Sequence, residues 1–131
     1  MKKILLLITL LITINCYLQI NIIAKYYTDY KKDKTINQQG AATYMIIIKN
    51  ASNSIRVVGP NNFDMYYTVS AYWSTGTADN FDLIMTWIVT DPVIIGFKLV
   101  INGGVDGYWY EFFQFYDNDC MRKYTKISFL K

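Results

Sequence analysis

The chain contains no histidine. That absence excludes Ser-His-Asp and Cys-His catalysis and the usual histidine-containing zinc sites. Glutamate is almost as scarce, with Glu111 standing alone beside nine aspartates. A hydrolase with paired carboxylates needs two carboxyls about 5–10 Å apart, and Asp106 and Asp117 are the candidate partners of Glu111. Carboxylates that flank a strand are more often turn residues or solvated strand ends, so the expected protein is not an enzyme. The run Gly103–Gly107 lacks the lysine and the following helix that a phosphate loop needs, and reads as a hairpin loop. Asp117-Asn118-Asp119 with Asp106 offers oxygen donors for Ca²⁺, but at a spacing that matches no EF-hand loop. A turn is expected there, with no metal and no cofactor. Prolines number only two, and no segment shows helical spacing with caps over more than two turns.

What the chain does have begins with Met1-Lys2-Lys3 and an apolar run from Ile4 to Ile14, broken only by Thr9 and Thr13. These are the n- and h-regions of a secretory signal peptide. The expected division is a signal peptide over 1–24, a polar N-terminal arm over 25–42, with room for an edge strand around Tyr26–Tyr30, and a β-sandwich domain over 43–131. Cleavage after Ala24 or after Cys16, lipidation of Cys16, and a membrane anchor through residues 4–24 are the alternatives; the anchor would put Asn15, Gln19 and Asn21 in the bilayer. Removing residues 1–24 leaves 107 residues with a formal charge of +1. That is enough for one core, and too little charge to indicate nucleic acid. Only Cys120 then remains, so no internal disulfide is expected in the mature chain.

From Thr43 onward, strand and turn signals alternate. Thr43–Lys49 and Ile55–Val58 are rich in β-branched residues, and Asn50-Ala51-Ser52-Asn53 between them reads as a hairpin loop. That loop holds a sequon, which makes Asn50 a glycosylation candidate. Gly59-Pro60-Asn61-Asn62 is a breaker. Period-two alternation follows over Tyr66–Trp73, Phe81–Thr90 and Val93–Ile101, with a break at Asp91-Pro92, and a last strand is expected over Tyr124–Leu130. The fold class is therefore all-β: an antiparallel β-sandwich or small barrel of about six to seven strands, preceded by a signal peptide.

The most unusual stretch is Tyr108–Tyr116, in which seven of nine residues are aromatic. As a strand it places Tyr108, Tyr110, Phe112, Gln114 and Tyr116 on one face, and Trp109, Glu111, Phe113 and Phe115 on the other. One expectation is a central core strand. The sharper one puts Trp109, Phe113 and Phe115 in the core and leaves the tyrosine-rich face as a ligand platform. Tyr108, Tyr110 and Phe112, with Tyr72 and Tyr66, are then the candidate ligand-binding residues. Exposed Tyr and Trp suit the C–H faces of sugar rings and equally suit a lipid headgroup interface. The expected function is a secreted, non-enzymatic protein that binds carbohydrate or glycoconjugate through exposed aromatics. Lipid or membrane binding, or a structural surface role with no small ligand, is the alternative.

Two local resemblances bear on this choice. Tyr72-Trp73-Ser74-Thr75-Gly76-Thr77-Ala78-Asp79 resembles the first-hairpin region of actinoporin-type cytolysins, which bind sphingolipid, although their long amphipathic N-terminal helix has no counterpart here. Tyr44–Ile55 is similar to an opening hairpin common in secreted cellulose-binding sandwich modules. The first implies a membrane ligand and the second a glycan.

Overall fold

The computed structural model describes residues 19–77, 82–104 and 107–130. The expected leader core, Cys16, Asp79 and Asp106 lie outside them. The described chain forms eight strands: β1 (Gln19–Tyr30), β2 (Ile36–Lys49), β3 (Ser54–Val58), β4 (Asp64–Thr77), β5 (Asp82–Thr90), β6 (Ile94–Gly104), β7 (Gly107–Tyr116) and β8 (Met121–Leu130). Each strand pairs antiparallel with its sequence neighbours, and β1 also pairs with β8, so the sheet closes into an up-and-down barrel. The all-β antiparallel expectation holds at that level. The finer one is corrected: there are eight strands rather than six or seven, in one closed barrel rather than two facing sheets.

The extra strand comes from residues expected as leader and arm. Ile20, Ile22 and Ala24 alternate into the core, and residues 25–42 supply the rest of β1 and the first half of β2. The β1–β2 connection is only Lys31–Thr35, tightened by Asp33, whose Oδ1 accepts from both the backbone N–H (3.0 Å) and the hydroxyl (2.6 Å) of Thr35. β3 is five residues long and pairs only with Met45–Lys49 of β2. Ile36–Ala41 therefore pairs with β1 on one edge alone, and nearly all of it is exposed.

Inside the barrel, Ile22, Ile46, Ile48, Ile55, Val57, Leu99 and Ile101 are fully buried around Trp87, Phe97 and Phe112. Phe112 stacks on Phe97 with centroids 5.6 Å apart, and Tyr72 stacks on Trp87 at 5.4 Å. Between β7 and β8 the backbone pairing covers only Phe112–Phe115. Above it a T-shaped Tyr110–Phe129 contact at 4.9 Å carries the seam with side chains instead.

The two faces of β7 are the reverse of the platform expectation. Phe112 is fully buried, Gln114 is buried, and Tyr108, Tyr110 and Tyr116 pack partly buried against the core; Trp109 is 54% exposed. Trp109, Phe113 and Phe115 form part of the outer wall. Closure forces this choice, because each strand then has a single inward face and Phe112 shares it with its partners Leu99 and Tyr124.

Candidate functional site

The five residues expected to bind ligand do not meet. Phe112 is sealed in the core, while Tyr72, Tyr108 and Tyr110 line the interior half-buried. The Tyr72 hydroxyl is enclosed with no hydrogen-bond partner among the described residues. Tyr66 alone stands fully outward, and the Arg56 guanidinium lies 5.0 Å from its ring centroid. Arg56 in turn grips Asp64 with two hydrogen bonds of 2.9 and 2.7 Å, which hold the Asp64 carboxyl below the usual carboxylate range. Asn50, expected in an exposed loop, is half-buried at the start of a 3₁₀ turn, and its Oδ1 accepts from the buried Trp87 indole at 3.1 Å.

Of the two candidate partners of Glu111, Asp106 lies outside the described residues and Asp117 does not meet it. Glu111 sits mid-strand on the outer wall, where its carboxylate meets Lys123 Nζ at 3.3 Å. Asp117 lies beyond the end of β7 in the turn. Asn118 in that turn caps the Cys120 N–H, and Cys120 is a free, partly buried thiol. No group of three acidic, histidine or cysteine side chains that could hold a metal occurs among the described residues.

One polar cluster was not foreseen. At the end of the barrel where the β1–β2 and β7–β8 turns lie, Arg122 points inward. Its Nε and Nη2 donate to the two Asp29 oxygens at 2.6 and 2.9 Å, and its Nη1 donates to the Tyr44 hydroxyl at 3.1 Å. The guanidinium carbon lies 4.7, 5.5 and 5.9 Å from the ring centroids of Tyr27, Tyr44 and Tyr124. The Tyr124 hydroxyl donates to Gln114 Oε1 at 3.1 Å, and Gln114 Nε2 donates to the Tyr116 hydroxyl at 2.9 Å. Burial works against the Arg122 charge, but the Asp29 hydrogen bonds and the surrounding rings raise its pKa further. Burial also pushes the Tyr124 and Tyr116 phenols up, and raises Tyr67 to about 12. The donors and acceptors of this cluster are spent on one another. It seals one end of the core and leaves little for a ligand. Continuing the alternation of β8 back from Tyr124 would have placed Arg122 inward.

The outer wall of β4–β7 is different in kind. Trp109 is pinned: with the Asn102 amide oriented to suit both neighbours, its oxygen accepts from Trp109 Nε1 at 3.0 Å and its nitrogen donates to Asp82 Oδ1 at 2.8 Å. The register places Asp82, Asn102 and Trp109 side by side on β5, β6 and β7. In the next outward row stand Thr75, Ile84, Val100 and Glu111; beyond it come Trp73, Thr86, Lys98 and Phe113. Trp73, 47% exposed, lies three strands and two rows from Trp109, roughly 20 Å along the wall at ordinary strand spacings. Lys98 Nζ sits 5.5 Å from the Phe113 centroid. A fixed indole face, an apolar floor and flanking amide, hydroxyl, carboxylate and ammonium groups make this wall the better candidate site.

The wall does not suit a bilayer. Membrane barrels are apolar outside and polar inside. This one carries Arg56, Lys98, Glu111 and Lys123 outward in mid-strand around an apolar interior. No helix among the described residues is long and apolar enough to cross a membrane.

Fold and site together define an eight-stranded up-and-down antiparallel barrel with a filled apolar core and an aromatic outer wall. No protein-family model matches the chain, and no curated protein matches it.

Proposed function

We propose that the protein is a secreted, non-enzymatic barrel that binds carbohydrate or glycoconjugate on the outer wall of β4–β7. The observation that carries this reading is Trp109. It is a large aromatic face left more than half exposed while its only polar atom is committed to Asn102, so the ring is held before any ligand arrives. Stacking sugar C–H groups on a fixed indole costs little ordering entropy, and Asp82, Thr86, Lys98 and Glu111 are at hand for hydroxyls. The interior is no rival site, because Trp87, Phe97 and Phe112 fill its centre.

A cut after Ala24 would remove Ile20, Ile22 and Ala24, three buried core residues, so a signal peptidase site ahead of Gln19 fits the fold. The test is glycan-array or polysaccharide pull-down binding of the wild type beside Trp109→Ala. Binding lost in Trp109→Ala, with the fold retained, supports the proposal. No binding of the wild type to any glycan, or binding untouched by Trp109→Ala, refutes it.

A further inference from the structure

One end of the barrel carries unspent apolar and charged surface on all four of its hairpins. The β1–β2, β3–β4, β5–β6 and β7–β8 connections all lie at this end, because the strands alternate up and down in sequence order. Two neighbouring connections and the strand starts that follow them expose large apolar side chains: Phe63 with Met65 at the start of β4, and Val93 with Ile95 at the start of β6. The other two carry charge of opposite sign. Lys31, Lys32 and Lys34 project from β1–β2, and Asp117 and Asp119 from β7–β8. None of the ion pairs among the described residues uses any of these five side chains. The other acids here are engaged within the chain: Asp33 by Thr35, Asp64 by Arg56, and Asp91 by the N–H groups of Val93 and Ile94.

The order of these hairpins around the rim is the informative part. A two-fold axis perpendicular to the barrel axis, passing between β8 and β1 on one side and between β4 and β5 on the other, exchanges β1–β2 with β7–β8 and β3–β4 with β5–β6. Two copies stacked end to end about that axis bring the lysines of one against the aspartates of the other, twice. The same operation sets Phe63 and Met65 against Val93 and Ile95. Both charge and apolarity match, as an isologous contact requires. An open cavity of about 750 Å³ lies between the lysine loop and Phe115, Asp119 and Met121, beside the axis. An anionic membrane fits worse, since the unpaired aspartates would face it alongside the lysines.

We propose that this end of the barrel is a homodimer interface with a second copy of this chain as its occupant. The proposal is independent of glycan binding, because the Trp109 wall lies on the side of the barrel. Sedimentation velocity of the exported chain across a concentration series tests it, with two charge-reversed variants, K32E/K34E and D117K/D119K. All four positions are exposed turn residues, and circular dichroism checks that each variant keeps its strand signal. The wild type is expected to dimerise more weakly in high salt. Each variant alone, now like-charged across the axis, should bind itself about tenfold more weakly or worse. The equal mixture of the two should dimerise again, because each then meets its opposite. A Val93→Asp variant, which leaves every lysine and aspartate in place, should also shift toward monomer. A wild type that stays monomeric, a dimer indifferent to all three variants, or a mixture that fails to recover while both variants are folded overturns the proposal. So does a monomer that co-sediments with phosphatidylserine vesicles.

Discussion

The two faces of β7 are made of nearly the same side chains and meet opposite fates. Tyr108, Tyr110, Phe112, Gln114 and Tyr116 turn inward, while Trp109, Glu111, Phe113 and Phe115 form part of the outer wall. Hydrophobicity does not separate them, since the outer set holds the Trp and two of the three Phe residues of the strand. What separates them is whether the polar groups can be satisfied inside. Gln114 accepts from Tyr124 and donates to Tyr116, so both ends of a neutral amide find a partner in the core. Glu111 is a charge and pairs with Lys123 at the surface. A strand rich in rings on both sides is oriented by its few polar members.

The sharpest way to break that contrast is to truncate one phenylalanine from each face. Phe112→Ala removes a fully buried ring stacked on Phe97 and should cost about 3–5 kcal/mol in chemical denaturation. Phe113→Ala should cost about 1 kcal/mol, since its ring lies on the outer wall beside Phe115 and Lys98. Equal losses would mean that the strand is buried on both sides.

The polar end of the interior should rank next. Asp29→Asn leaves the Arg122 charge half-buried without its carboxylate, and about 2 kcal/mol of stability should be lost. Replacing both partners together, Asp29→Leu with Arg122→Met, should cost less than the two single losses summed, because no charge is then stranded. Full additivity in a double-mutant cycle would deny that the two are coupled.

The remaining effect is set by pH. Burial raises the phenols of Tyr67, Tyr116 and Tyr124, with Tyr67 at about 12. A raised pKa means that the folded chain holds the proton more tightly than the unfolded one, where tyrosine titrates near 10. Their contribution is complete below about pH 10 and is lost as pH rises through about 12. Guanidinium midpoints should be level from pH 7 to 9 and fall above 10, by up to about 1.4 kcal/mol per pH unit for each tyrosine. A level profile to pH 12 would place these phenols in solvent.

Much of the fold is legible in the residues. The alternations at Tyr66–Trp73, Phe81–Thr90, Val93–Ile101 and Tyr108–Tyr116 mark β4 to β7 within a few residues. Of β1 only the stretch around Tyr26–Tyr30 was legible, as an edge strand, for two physical reasons. Its first half, Ile20-Asn21-Ile22-Ile23-Ala24, continues the apolar composition of a leader and was counted with it. Its partner over Ile36–Ala41 is exposed on both faces, so no period-two pattern exists to find. The inward face of β7 was misread because rings line both sides, although the charge on Glu111 against the neutral Gln114 already pointed the right way. The Trp109–Asn102–Asp82 row could not be read at all, since it joins three strands whose register only barrel closure sets.

Residue-resolved hydroxyl-radical footprinting of the native protein measures directly which face of β7 is outside. Comparing like with like removes differences in intrinsic reactivity: Trp109 and Trp73 against Trp87, and Phe113 against Phe112. Rapid oxidation of Trp109 and Trp73 with Trp87 protected, and labelling of Phe113 with Phe112 protected, is the expected result, in line with full burial of Trp87 and Phe112. Protection of Trp109 and Phe113 together with labelling of Phe112 would turn the strand over and contradict it.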